Sequence, residues 1–370
     1  MAKYALISAD SHVLEPPDLF SGRLPAKFRD RAPKHVPTET QGDQWWFPNS
    51  PQWSWGLNQC GGLPPEQYSP IVKWNEVRPE AYQQGPREKT QAAAGVVAEI
   101  MYPSPKVVIA MHAEDKDPEF HLALVRAYND WLSEYCQANP GFYVGLALVP
   151  SGGDAKVAAD EIRRAMKLPG MKGAQVNKYP TTGQRLHADD DEIFKACMET
   201  GASVNYHVGL AQSESSTPRQ AHEFIGAFTG CYRFYDPPIR MSELIYTKVF
   251  DRFPELQVVW GEVDVGWVPY LMEQLDDRIE RQSPKMKVQL KKKPSDYFKE
   301  NFHYVVVKDP YGIKNRDAVG TGRIMWSSDF PHATCDYPDY AAGIDHDFKN
   351  VPAGELDMML RGNAAKLYGL

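Results

Sequence analysis

The sequence predicts a (β/α)8 barrel, and three observations lead there. From about residue 93 onward, short apolar runs alternate with longer stretches of helical period, the pattern of parallel strands joined by crossover helices. With the N-terminal apolar run included, the strand candidates number eight. No glycine-rich dinucleotide loop follows any of them, so the rival architecture, an open doubly wound sheet, lacks its usual signature. A chain of 370 residues, 42% hydrophobic, can build such a barrel as one domain over 1–370.

The expected strands are 4–9, 96–101, 142–148, 173–177, 203–207, 257–262, 303–307 and 323–328. Helices are expected over 117–137, 154–166, 190–200, 240–252 and 266–281. Several open on an aspartate, which suits the positive end of a helix dipole. Residues 21–92 break the alternation: they are rich in Pro and Gly and carry five of the nine tryptophans. A long aperiodic stretch inside a compact domain is usually functional, so it reads as a lid-like insertion after strand 1, above the barrel mouth. Trp45, Trp46, Trp53 and Trp55 are its candidates for lining an apolar substrate pocket. A satellite hydrophobic cluster or a subunit contact is the alternative.

Composition narrows the partners. The net charge is -7 and the longest basic run is Lys291-Lys292-Lys293, which argues against nucleic acid or an anionic membrane surface and leaves a small-molecule substrate. Cys60, Cys136, Cys197, Cys231 and Cys335 are widely spaced with no C-x-x-C pair, as expected of buried free thiols in a reducing compartment. Neither a signal peptide nor an apolar stretch of about 18 residues is present, so a cytoplasmic location is expected.

Barrels of this class carry their reactive groups at the C-terminal ends of the strands. Strand 1 runs into Asp10-Ser11-His12, strand 5 ends at His207, strand 6 at Glu262, and strand 8 at Asp329 with His332 three residues on. Each has a plain reading alone: a turn aspartate, a core histidine, an ion-paired glutamate. Together they bring acids and imidazoles to one rim, where unpaired burial of so many carboxylates is costly without a cation. Anionic oxygen and neutral nitrogen suit zinc, manganese or iron. Glu15, just before Pro16-Pro17, is either a helix cap or a further ligand. Of the other histidines, His222 and His303 are expected nearest the site.

Five stretches resemble a known family: "DSHVLEPPDLF" (10–20), "NYHVG" (205–209), "VFDRFPELQVVWGEVDVGWVPYLMEQLD" (249–276), "SSDFPH" (327–332) and "GNAAKLYGL" (362–370). They are similar to the amidohydrolase-related (amidohydrolase 2) barrels of the aminocarboxymuconate semialdehyde decarboxylase type, which include resorcylate and dihydroxybenzoate decarboxylases. The resemblance implies one divalent metal held by Asp10, His12, His207 and Asp329, and a homodimer. It also implies a catalytic histidine at the end of strand 6, where this chain has Glu262. Three reactions stay open on that footing. In hydrolysis, Asp329 or Glu262 accepts a proton from metal-activated water. In non-oxidative decarboxylation, Asp329 or His332 protonates the ring carbon of an acid substrate. In the third, Glu15 and Glu262 help hold two iron or manganese ions for oxygen chemistry, with a reductase or a second subunit as partner. A non-catalytic barrel that retains a structural metal is the alternative from another class.

Overall fold

The computed structural model describes residues 2–208, 235–286 and 288–370; Cys231 and His222 lie outside them. Eight parallel strands hydrogen-bond in chain order: β1 (Leu6–Val13), β5 (Val96–Pro103), β6 (Tyr143–Leu148), β7 (Met171–Gln175), β8 (Ser203–His207), β9 (Val258–Gly261), β10 (Phe302–Val306) and β11 (Ile324–Trp326). The sheet closes on itself beyond β11. The Asp329 amide donates to the Asp10 carbonyl at 3.1 Å, and the His12 amide donates to the Phe330 carbonyl at 2.8 Å. The predicted barrel is what forms.

Alternation along the strands sorts side chains to two cores. Ile7, Ala98, Ile100, Val144, Leu146, Val259, Val305 and Met325 fill the interior together with Ala364 and Tyr368 of the C-terminal helix Asn363–Tyr368. The neighbouring residues Val204, Tyr206, Val258, Trp260, Phe302 and Tyr304 face outward onto the helical layer. Burying side chains of this size contributes about 1.5–3 kcal/mol each, which favours the register that satisfies both faces.

The helices begin where capping chemistry puts them. The Asp117 carboxylate accepts from the Phe120 amide before helix Pro118–Gln137, and Asp154 accepts from the Lys156 amide before helix Ala155–Ala165. Each such cap is worth about 1 kcal/mol. The helix expected over 240–252 is instead two, Pro237–Tyr246 and Val249–Arg252, separated by Lys248 at φ 63. It starts early because Pro237 and Pro238 suit a first turn.

Residues 21–92 hold more order than their composition suggests. Three short strands, β2 (Lys34–Pro37), β3 (Asp43–Phe47) and β4 (Ser50–Trp53), form an antiparallel sheet. Four or five residues per strand are too few to show a period against so many prolines and tryptophans. The segment meets the loop after β11: the Gly61 amide donates to the Pro331 carbonyl at 2.8 Å, and the Ala333 amide to the Leu57 carbonyl at 3.1 Å. Cys60, Cys136, Cys197 and Cys335 are free and buried. Among the described residues no helix is long and apolar enough to cross a membrane.

Candidate metal centre

Strand 1 continues further than its apolar run because the closing hydrogen bonds carry it to Val13, so Asp10 and His12 stand on β1 itself. His207 ends β8, Glu262 follows β9, and Asp329 follows β11. Glu262 and Asp329 both adopt positive φ, 58 and 54, a conformation that costs of order 1 kcal/mol in a non-glycine residue and recurs where a side chain is aimed into a site.

These turns bring the groups together. His12 Nε2 lies 3.4 Å from Asp10 Oδ1 and 3.4 Å from Asp329 Oδ1, and His207 Nε2 lies 3.1 Å from Asp10 Oδ2. Asp10, His12 and His207 form one group able to share an ion, and His12, Asp329 and His332 form another. All of these residues are buried except His332, whose side chain is 13% exposed. Yet both Asp10 oxygens, Asp329 Oδ1 and the Nε2 atoms of His12, His207 and His332 have no hydrogen-bond partner. Buried polar atoms are rarely left so, and a cluster of them around one point is the arrangement a cation completes.

The next layer fixes which atoms face inward. His12 Nδ1 is 3.1 Å from the Pro103 carbonyl oxygen and His207 Nδ1 is 2.6 Å from that of Val208. A carbonyl can only accept, so in each neutral imidazole the proton sits on Nδ1 and the Nε2 lone pair is left for a metal. Thr334 donates to Asp329 Oδ2 at 2.6 Å, leaving Oδ1 for the cluster. Gly261 sits close against the cluster: a Cβ there would lie 3.1 Å from the His207 ring and 3.2 Å from Asp10 Oδ2, so those groups would have to shift.

Electrostatics reflect the crowding of acids. Burial opposes the charged form of His207, but the Asp10 carboxylate outweighs it and pushes the imidazole up to about 9. Burial likewise opposes ionisation of Asp329 and His332, yet their mutual attraction holds Asp329 well below the usual carboxylate range and His332 above its ordinary value. For His12, burial and then the neighbouring His332 lower the pKa. The donor set, two carboxylates with two or three imidazoles, fits zinc, manganese or iron.

The other candidates are placed differently. Glu262 Oε2 is 3.9 Å from His207 Nε2, at the edge of the cluster, with a side chain 16% exposed. Glu15 belongs to neither group: its Oε1 accepts from the Ser104 amide at 3.0 Å, and burial pushes its carboxyl up to about 7. Trp45 packs on Phe20, His35 and Phe47 within the larger core that β1, β5 and helix Pro118–Gln137 share, and Trp55 packs on His35 and Trp74 in a small cluster with Leu14, Val77 and Ala81. Trp46 lies under the Lys34 ammonium, and Trp53 donates to Ser50 Oγ at 2.6 Å. None of the four has a ring contact with a residue of the metal cluster among the described residues. His303 stands near the start of β10, at the other end of the barrel.

Sequence reasoning missed Arg87, Gly261 and Thr334. Arg87 is fully buried, gives two N–H groups to Glu99 at 2.7 and 2.8 Å, and donates to the His12 carbonyl at 2.7 Å. The one available signal was Glu99, an acid within the otherwise apolar strand "VVAEIMYP".

A closed parallel barrel with an Asp/His cluster at the C-terminal strand ends defines a metal-dependent enzyme of the barrel-hydrolase class. The chain belongs to the amidohydrolase family, whose model matches residues 74–370. It is 27% identical over 257 residues to gamma-resorcylate decarboxylase of a Polaromonas species, covering 66% of this chain and 76% of that one. An amidohydrolase of Mycobacterium avium subsp. paratuberculosis shares the fold with a TM-score of 0.76 at 19% identity, covering 100% of this chain and 99% of that one. A dihydroxybenzoic acid decarboxylase of Polaromonas, solved with manganese and 2-nitroresorcinol, superposes with a TM-score of 0.66 at 20% identity, covering 99% and 97%.

Proposed function

We propose that the protein is a non-oxidative decarboxylase of a small aromatic carboxylate. Asp10, His12, His207 and Asp329 would hold one divalent ion, manganese or zinc. The observation that carries this reading is the convergence of unpartnered aspartate and histidine atoms on one point of the rim, in a chain similar to gamma-resorcylate decarboxylase over 66% of its length. When bound, the ion supplies Lewis acidity that fixes the substrate's oxygens and offsets their charge.

The chain's own groups account for the rest. Decarboxylation without an oxidant needs a proton delivered to the ring carbon, after which the C–C bond breaks, its electrons return to the ring and CO2 leaves. His332 is the donor: Nδ1 rests 3.0 Å from Asp329 Oδ1, and Nε2 has no protein partner. Glu262, the more exposed of the two at 16% against 13%, passes a replacement proton from solvent. The side-chain amides of Gln175 and Asn177, buried at the end of β7 without partners, are available to the substrate's polar atoms. The relatives give no support to the oxygenase alternative, and Glu15, which that reading needs, accepts a backbone hydrogen bond instead.

The test is CO2 release from 2,6-dihydroxybenzoate and related hydroxybenzoates by manganese- or zinc-loaded protein in D2O. Deuterium should appear in the ring where the carboxylate stood, and His207→Ala should abolish the reaction. Hydrolysis of amides without any CO2 from aromatic acids would overturn the reading in favour of the family's other chemistry.

A further inference from the structure

A cavity of about 920 Å3 opens at the opposite end of the barrel from the metal centre. Its walls show which end this is: Ser203 is the first residue of β8, Gln257 immediately precedes β9, His303 is the second residue of β10 and Arg323 immediately precedes β11. The metal-site residues His207, Glu262 and Asp329 lie at the other ends of these strands. Asn363, on the C-terminal helix that forms one wall, donates through Nδ2 to the Thr321 and Ile324 carbonyls at 2.9 and 2.7 Å, so that wall is fixed.

The charged residues lining the cavity are two bases, Arg323 and Lys366, and two acids, Glu255 and Asp357. The half-buried Arg323 donates Nη1 to Gln257 Oε1 at 2.9 Å and meets His303 Nε2 at 3.0 Å, both neutral partners. Among the described residues neither Arg323 nor Lys366 forms an ion pair. Burial lowers the Arg323 pKa and outweighs the smaller opposing effects of Tyr304 and Glu300. His303 is only 7% exposed, and its Nδ1 has no partner. On the acidic side, Asp357 is paired with Arg361 at 2.6 Å, and Glu255 forms no ion pair among the described residues. Met198, Met358 and Leu367 supply an apolar wall.

We propose that this cavity binds a small organic anion, an aromatic or acyl monocarboxylate, with its carboxylate on Arg323 and Lys366 and its apolar body against Met198, Met358 and Leu367. Among the described residues the Arg323 hydrogen bonds are made by Nη1, and the guanidinium's remaining N–H groups are the planar, two-pronged donor that a carboxylate matches. The volume is in the range of small-molecule sites, about 300–1,000 Å3. Barrels of this kind keep their chemistry at the other rim, so the site is a binding site and not a second catalytic one.

The experiment is a 19F NMR titration of 4-fluorobenzoate into the metal-loaded full chain, its Asp329→Asn variant, Arg323→Gln and Lys366→Gln. A binding event with a dissociation constant below about 1 mM should appear in wild type, persist in Asp329→Asn, and weaken about tenfold in Arg323→Gln. Inorganic phosphate should displace the probe only at about tenfold higher concentration, because it cannot use the apolar wall. Loss of the event in Asp329→Asn would assign it to the metal centre and overturn the proposal. So would unchanged binding in a folded Arg323→Gln, absence of the event in wild type, or displacement by phosphate and benzoate alike. Should Arg323→Gln fail to fold, the exposed Lys366 decides by the same criterion.

Discussion

Asp329 Oδ1 lies 3.0 Å from Nδ1 of His332, whose ring stacks on His12 at 4.1 Å, so a single carboxylate connects the proposed metal ligands to the proposed acid. The two residues should therefore separate on substitution. Asp329→Asn should lose both metal and turnover. His332→Gln should keep its metal while kcat falls about 10²–10⁴-fold, the usual contribution of a positioned proton donor. Metal analysis beside steady-state kinetics checks this, and a His332→Gln protein that loses metal as Asp329→Asn does would make His332 a ligand and not the acid.

Arg87 fastens the rim from behind. Besides Glu99 and the His12 carbonyl, it reaches the Phe330 carbonyl at 3.3 Å, so one side chain spans β1, β5 and the loop that carries Asp329. Arg87→Ala should cost about 3–5 kcal/mol, because it strands a buried carboxylate. The double variant Arg87→Met/Glu99→Leu should recover most of that stability, since neither charge is left alone, but not the metal affinity. Urea unfolding and metal titration of both proteins make the comparison; a single variant within about 1 kcal/mol of wild type contradicts the clamp.

What was legible in the sequence was what depends on local pattern. Most barrel strands contain a short apolar run, and the groups that end up clustered, Asp10, His12, His207 and Asp329, stand at or just past the ends of their strands' apolar residues, where the fold puts reactive groups. What depends on long-range packing was hidden. Arg87 meets His12 across 75 residues, hinted at only by its partner Glu99 in an apolar strand, and Thr334 looks like any loop threonine. In the added segment the sequence showed the tryptophans but not what they pack on: Trp45 and Trp55 enclose His35 with Trp74, at ring distances of 4.2, 5.0 and 5.2 Å. Burial among those rings lowers the His35 pKa to about 4, so it packs as a neutral group.

Gly261 tests how tightly the cluster is built. Its would-be Cβ meets the His207 ring, Asp10 Oδ2 and Tyr102 at 3.1, 3.2 and 3.3 Å, contacts that require neighbours to give by a few tenths of an ångström. Those neighbours include two proposed ligands, so Gly261→Ala should weaken metal binding about 10–100-fold, the scale of other disturbances to ligand orientation. The cost to the fold should be smaller, about 1–3 kcal/mol. Equal metal affinity in Gly261→Ala and wild type would show that the ligands are not held at that point.

Glu15 offers the sharpest pH test, since its two readings differ in sign. Buried against the Ser104 amide, its carboxyl is raised from an ordinary value of 4.5 to about 7. Between those values the folded protein keeps a proton that the unfolded chain has lost, so stability falls as pH rises through this window and the loss is complete above about 7. A shift of this size corresponds to about 3 kcal/mol. Glu15→Gln removes the titration and should flatten the stability curve of the metal-free protein between about pH 4.5 and 7, leaving the variant more stable than wild type at pH 8 by up to that amount. A Glu15 that instead served a second cation would be ionised throughout in the loaded protein, and Glu15→Gln would then lower metal stoichiometry and destabilise it at pH 8. Chemical denaturation at several pH values, with and without metal, distinguishes the two, and burial, which outweighs the Ser104 hydrogen bond, predicts the first.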